Sequence, residues 1–538
     1  MKKSKLLMFL LTVLAGCGGG VESGRDLPNA VVSCTVDGTA VKDDGSVSGL
    51  DPSGVRVELE FSSPIDFSLL DRGNIVLSGG DYTCSLSGNN TLILDVTGLE
   101  HFGNYKLSVL SGRMLGVNIP FGFSCRLLTA YDPSDKFPRI PREELLDLVQ
   151  EKTFAYFWDY AHPVSGLARE RLGSGETVTA GGSGFGLMAI LVGIERGFIS
   201  REDGYAHLLK AADFLTDKAE RFHGAFPHWM DGATGAAKPF STYDNGADLV
   251  ETAFLMEGLL TCRQYFSEAA EAPLREKITD LWEAVEWDWF LNGTNQLRWH
   301  WSPEYGWKMN MGITGWNEAL TVYVLAAASP THPIGKEAYD DGWARNGEIR
   351  NGKSFYGITL PLGSDYGGPL FFAHYSFMGL DPRKLCDAYA SYWEQNTAHA
   401  RINHAYCSAN PRHRYGYSSD CWGLTASDLP SGYGASSPAN DKGTIAPTAA
   451  LASMPYTPEE SLAAMETFYY TYGDRLWGDY GFRDAFSLEN HWFASAYIAI
   501  DQGPIVVMAE NYRSGLVWDT FMKDPDVRAG LTALGFSF

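Results

Sequence analysis

The sequence predicts a small all-β sandwich followed by a large, mainly α toroid, on two textures and one exclusion. From about residue 30 to 131 apolar residues alternate at period two, and from about residue 142 they recur at helical spacing. The second region lacks the eight apolar strand runs that a parallel βα barrel requires. With 538 residues the chain also exceeds a single ordinary core.

The first element is a leader. Lys2, Lys3 and Lys5 precede an apolar run from Leu6 to Leu14, too short to cross a bilayer. The run ends in Leu14-Ala15-Gly16-Cys17, similar to the lipobox of bacterial lipoproteins, in which the cysteine becomes the lipidated first residue. Residues 1–16 are therefore expected to be a lipoprotein signal peptide, Cys17 a lipid anchor to the outer membrane, and 17–29 a linker.

Residues 30–131 contain alternating runs such as Val55-Arg56-Val57-Glu58-Leu59-Glu60-Phe61, separated by turn signals such as Ser87-Gly88-Asn89-Asn90. They suit an antiparallel sandwich of immunoglobulin-like type, with no catalytic constellation. A linker at 132–141, containing Phe137-Pro138-Arg139-Ile140-Pro141, leads into residues 142–538. There Leu145, Leu148, Val149, Thr153 and Tyr156 form the first helical stripe. Further helices are expected near 184–197, 203–221, 246–269, 275–291, 316–327, 382–397, 458–471 and 503–514. Paired helices joined by long loops rich in Gly, Pro, Trp and Tyr fit an (α/α)6 barrel, and loops of that length are functional or disordered.

A net charge of -23 with no basic cluster argues against nucleic acid and polyanionic partners. Fifteen Trp and 27 Tyr are more than packing requires and suit stacking on sugar rings, so a neutral glycan is the expected partner. A monomer is the expected state. Eight cysteines give no CxxC pair and no Cys/His zinc spacing, so neither metal nor cofactor is expected. Export permits disulfides, and Cys407 with Cys421 is the first pair to test.

Three groups of acids stand out. Asp248 and Glu251 are three apart on one helix face, where first-turn capping competes with a role in a cleft. Glu318 follows an aromatic stretch containing Trp299, Trp301, Tyr305, Trp307 and Trp316, and desolvation there would raise its pKa toward that of a general acid. Asp484 and Asp501 lie in loops beside predicted helices, where ion pairing and capping are the competing roles. Glycosidic cleavage needs one acid on the leaving oxygen and a carboxylate on the other side of the ring, and this chain carries candidates for both. Trp158, Trp229, Trp422 and Trp492 are candidate sugar platforms with core packing as their alternative.

Taken together, Phe157-Trp158-Asp159-Tyr160, Asn245 to Thr252, Gly315-Trp316-Asn317-Glu318, Cys421 to Asp428 and Ile500-Asp501-Gln502-Gly503-Pro504 resemble the glycoamylase-like family over about residues 140–538. That family includes bacterial β-1,2-glucanases, and its members are often labelled glucoamylases. The resemblance implies an (α/α)6 barrel and glucan hydrolysis, with Asp248, Glu251, Glu318 and Asp501 as the important acids. Glu318 is then the general acid, Asp501 or Asp248 the base, and inversion the course. Arg169, Arg171, Tyr366 and His374 become substrate-binding positions. Starch hydrolysis, a non-catalytic glycan-binding lipoprotein, and a lyase using Asn403, His404 and Tyr406 are the rivals. Net acidity disfavours the lyase, whose substrates are polyanionic.

Overall fold

The structure is a computed structural model and describes residues 29–538. The expected signal peptide, Cys17 and the linker up to residue 28 lie outside the described residues. The backbone divides into two compact units, one ending at Ala130 and one spanning Tyr131–Phe538.

The strands of the first unit are β1 Val31–Val36, β2 Thr39–Ala40, β3 Gly45–Leu50, β4 Val55–Phe61, β5 Ile75–Leu77, β6 Asp81–Ser87, β7 Thr91–Thr97, β8 Asn104–Val109, β9 Gly112–Met114, β10 Val117–Ile119 and β11 Phe123–Thr129. They form one sheet ordered β2-β1-β4-β7-β6, a second ordered β3-β11-β8-β5, and a β9-β10 ribbon. In β4, Val55, Val57, Leu59 and Phe61 point inward between exposed Arg56 and Glu60, as period-two alternation requires. Both sheets contribute to one apolar core. Against the all-antiparallel expectation, β3 runs parallel to β11. The two are separated by most of the unit's length, the long connection that parallel neighbours need.

The second unit is built on α1 Arg142–Trp158, α2 Ala180–Glu195, α3 Arg201–Asp217, α4 Leu249–Tyr265, α5 Ala272–Glu283, α6 Leu320–Ala328 and the one-turn α7 Lys336–Ala338. It continues with α8 Tyr392–Ala409, α9 Pro447–Leu451, α10 Pro458–Glu466, α11 Gly473–Leu476, α12 Ala499–Arg513, α13 Leu516–Phe521 and α14 Pro525–Leu534. α2, α4 and α12 are buried nearly all round, whereas α3, α5 and α14 bury a single stripe. α2 packs against both α4 and α12, α4 against α6, α12 against α9, and α1 against α12.

The start of α2, Ala180-Gly181-Gly182-Ser183-Gly184-Phe185-Gly186, is glycine-rich because its neighbours press on it. A methyl group on Gly182 would meet Ala499 of α12, one on Gly184 the backbone of Phe254 in α4, and one on Gly186 the ring of Phe157 in α1. Glycine costs about 1 kcal/mol of helix propensity relative to alanine, and close packing repays it here.

Some boundaries differ from the sequence reading. The helix expected at 382–397 begins at Tyr392, because Asp387 holds a turn through the Tyr389 and Ala390 N–H groups and Ser391 caps the helix that starts after it. α9, α13 and α14 were not anticipated; α14 carries an Asp524 cap with Pro525 in its first turn. Short ribbons, such as Thr177–Thr179 with Trp229–Asp231 and Ala237–Lys238, occupy stretches read as loops. Strands of two or three residues are too short to show alternation. The pair Cys407 and Cys421 is not bonded: both are buried free thiols.

The core also holds two neutral imidazoles. His374 pairs with the Ser453 hydroxyl at 2.9 Å and His399 with the Gly368 carbonyl at 3.0 Å. Burial lowers His374 to about 3, with the neighbouring His399 adding to the effect, and lowers His399 to about 4. Because the folded pKa values lie below the ordinary 6.5, the unfolded chain takes up more protons below that pH. The contribution of these two histidines to stability is therefore expected to be level above pH 7, to fall once the pH drops below about 6.5, and to keep falling toward pH 4. Thermal melts across pH 4–8 check this. A His399→Gln variant, which keeps a donor for Gly368, should show a shallower decline, and an unchanged decline would remove His399 from the account.

Candidate active site

The ends of α2, α4 and α12 and the loops between helices enclose a cavity of about 610 Å³. One wall begins at Asp248, the N-cap of α4, whose Oδ1 accepts hydrogen bonds from the Val250 and Glu251 N–H groups, each at 3.0 Å. Its Oδ2 faces His228 Nδ1 at 3.1 Å and His300 Nε2 at 3.5 Å. His300 also reaches Asp244 at 3.3 Å. The ribbon of Ala247–Asp248 with His300–Trp301 fixes this register. Burial alone would raise Asp248, but hydrogen bonds and charge from the two histidines outweigh it and hold the carboxyl well below the usual range. Burial likewise opposes protonation of both histidines. Their carboxylate neighbours prevail, raising His228 to about 9 and His300 to about 10.

Glu251, one turn into α4, points at the start of α2. Its Oε2 accepts from the Gly181 N–H at 2.7 Å and the Thr179 hydroxyl at 3.3 Å, so the carboxylate meets free donors at a helix N-terminus. A methyl group on Gly181 would press on that carboxylate and on the Phe254 ring. Burial nevertheless raises Glu251, and Asp248 adds to it against the pull of His228.

Glu318 lines the same cavity just before α6. Burial raises it to about 7, and the negative charges of Asp248 and Glu251 contribute in the same direction. Tyr375 forms part of the wall, packs on Phe185 and Phe254, and directs its hydroxyl to Asp501 Oδ1 at 3.4 Å. Asp501, in the first turn of α12, is buried behind that wall next to Ile500, with Asp484 beside it. Trp229, Phe240, Trp299 and Tyr433 supply aromatic surface, and Arg171 enters held by Glu170 at 3.0 Å and Asp428 at 3.1 Å.

The structure thus gathers Asp248, Glu251, Glu318, Arg171 and Trp229 at one cavity and sets Asp501 and Asp484 immediately behind it. The other expected contact residues are elsewhere. Trp158 stacks on Phe154 and His207; Trp422 is buried with its indole N–H on the Glu460 carbonyl; Trp316 packs among Trp343, Phe377 and Tyr392. His374 is buried on Ser453, Tyr366 packs on Phe355, and Trp492 belongs to a ribbon with Ser487. Arg169 spends its guanidinium on the carbonyls of Tyr160, Ala161 and Gly175. Each satisfies a local packing or hydrogen-bonding demand instead of opening on the cavity.

Sequence reading missed His228, His300 and Asp244. The available signal was the pairing of histidine with tryptophan in His228-Trp229 and Trp299-His300-Trp301, beside platforms already suspected. His228, Asp244 and Asp248 bring ligand atoms within 4.8 Å of one another, a set that could hold a divalent ion. The protonated imidazoles already balance these carboxylates.

An acid poised near neutrality, further carboxylates around one cavity and aromatic walls for a neutral ligand define a site of the glycoside-hydrolase type. The family model described as "Putative glucoamylase" matches residues 310–525. The chain is 47% identical over 414 residues to an exo β-1,2-glucooligosaccharide sophorohydrolase (non-reducing end) of Parabacteroides distasonis, covering 72% of this chain and 57% of that relative's length. It is 53% identical to the endo-β-1,2-glucanase of Chitinophaga pinensis, solved with sophorotriose and glucose, with a TM-score of 0.73 over 74% of this chain and 99% of that one. A β-1,2-glucanase structure from Parabacteroides distasonis is 38% identical, with a TM-score of 0.72 over 92% of this chain and 73% of that one. The chain belongs to the glycoamylase-like family, whose members include β-1,2-glucanases.

Proposed function

We propose that the chain hydrolyses β-1,2-glucan or its oligosaccharides by acid/base catalysis with inversion. The observation that carries this reading is Glu318, raised to about 7 at a cavity that Asp248, held well below the usual carboxylate range, also lines. Glu318 protonates the leaving oxygen. Asp501 takes the proton of the attacking water through the Tyr375 hydroxyl, while the paired Asp248 and His228 and the aromatic walls hold hydroxyls and ring faces. The relatives' substrates support the linkage.

In the same reading the helices of the second unit make an (α/α)6 toroid, with α2, α4, α6, α9 and α12 in its inner ring, supported by their burial and sequential packing. The first unit is an immunoglobulin-like sandwich serving as a stalk, lipidated at Cys17 on the outer membrane, and the protein acts as a monomer. The leader sequence supports the anchor.

Incubating the protein without residues 1–17 with linear β-1,2-glucan and, separately, with starch tests the linkage. Short β-1,2-linked products and untouched starch are expected. Starch cleavage alone would replace this reading with an α-glucan hydrolase.

A further inference from the structure

Asp484 and Asp501 present a hydrogen-bonding problem that the rest of the structure does not solve. Both side chains are buried and adjacent. Asp484 Oδ2 accepts from the Asp428 N–H at 2.6 Å, and Asp501 Oδ1 receives the Tyr375 hydroxyl at 3.4 Å. The other oxygens, Asp484 Oδ1 and Asp501 Oδ2, are buried with no donor on either. Two unpaired acceptors on neighbouring buried carboxyl groups are strongly unfavourable if both groups are ionised. One proton between them satisfies both.

We propose that Asp484 and Asp501 form a carboxyl–carboxylate pair bridged by a single proton, and that Asp484 is the positioning residue keeping Asp501 able to act as base. The inference rests on the reading of Asp501 as the base in the proposed function. Burial raises both groups; Asp484 raises Asp501 further, while the hydrogen bond with Asp501 lowers Asp484, as expected of two carboxyl groups sharing one proton in a dry site. The charged and titratable groups facing the pair are Asp428, itself paired to Arg171, then Tyr433, and Tyr375 with Glu318 and Glu251 beyond it. None of these except Tyr375 and the Asp428 backbone donates to the pair.

In the reaction the pair begins with one proton. As water attacks the anomeric carbon, a water proton passes to the Tyr375 oxygen while the Tyr375 proton passes to Asp501. Glu318 gives its proton to the leaving oxygen. The pair ends with two protons and Glu318 with none, and exchange with solvent restores both. The shared proton eases the pair's first ionisation, so without Asp484 a lone buried Asp501 would give up its proton only at higher pH than that first step.

Two arms test this. In the unliganded protein at neutral pH, infrared difference spectra against Asp484→Asn and against Asp501→Asn should both show loss of the same protonated-carboxyl band. In each variant the amide donates to the remaining carboxylate. A band that survives either substitution would overturn the shared proton. This arm needs no substrate, so it stands even if β-1,2-glucan is the wrong substrate.

In the second arm, Asp484→Val should move the acidic limb of kcat/KM upward by about one pH unit or more, with KM little changed, while Asp484→Asn stays near the parent profile. Thermal melts confirm that both variants fold. Coincident limbs for the valine variant and the parent, or equal damage by asparagine and valine, would overturn the positioning role. Inactivity of the parent on β-1,2-glucan would instead fail the substrate reading and leave the infrared result decisive for the pair.

Discussion

Glu318→Gln is expected to lower kcat on β-1,2-gluco-oligosaccharides by about 10²–10⁴-fold, the usual range for a general acid, with little change in KM. Glutamine is close in size and polarity, so loss of the transferable proton is the main change. Burial raises Glu318 to about 7, aided by Asp248 and Glu251, and in the proposed mechanism the acid form is the active one. Activity in the parent enzyme should therefore fall as the pH rises through about 7, and the residual activity of the variant should lose that limb. A substrate with a leaving group good enough to depart without protonation should recover much of the lost rate. Equal loss on both substrates would assign Glu318 to binding.

Glu318 was legible in the sequence because its signal was local: an acid directly after a run of tryptophans. Asp248 and Glu251 were legible for the same reason, since i, i+3 spacing places both on one helix face. What they do was not legible. Asp248 owes its charge to His228 and His300, which are 20 and 52 residues away and reach it only through short ribbons with no sequence signature. Which aromatic residues face the cavity was not legible for a related reason. Trp158, Trp316 and Trp422 stand in the recognisable motifs, yet a buried indole packed in a helical core and one facing a sugar have the same local sequence. Trp229 and Arg171 differ from them only in lying at the cavity.

The broad division into β and helical units was readable from periodicity, whereas α2 begins four residues before its expected start because its first turn is glycine. Glycine reads as a breaker, and here it marks where backbones meet. The same glycines explain how the acids are held. Thr179 and Gly181 at the head of α2 grip Glu251 of α4, so the spacing of the two helices sets the position of a carboxylate at the cavity.

That coupling makes Gly258 a sensitive position. It lies in α4 against the backbone of Gly184 in α2, and a methyl group at either would overlap the other helix. Helix propensity alone predicts that Gly258→Ala stabilises by about 1 kcal/mol. Overpacking costs about 1–3 kcal/mol where flexible side chains can yield, and the obstacle here is main chain, so the clash should win. Gly258→Ala is expected to lower the urea midpoint with an unchanged slope, and Gly258→Val to destabilise by about 3 kcal/mol or more. Displacing α4 from α2 also draws Glu251 away from Gly181 and shifts Asp248 at the helix cap, so activity should fall even under conditions where the alanine variant remains folded. A stabilised, fully active alanine variant would mean that the two backbones are farther apart than this packing requires.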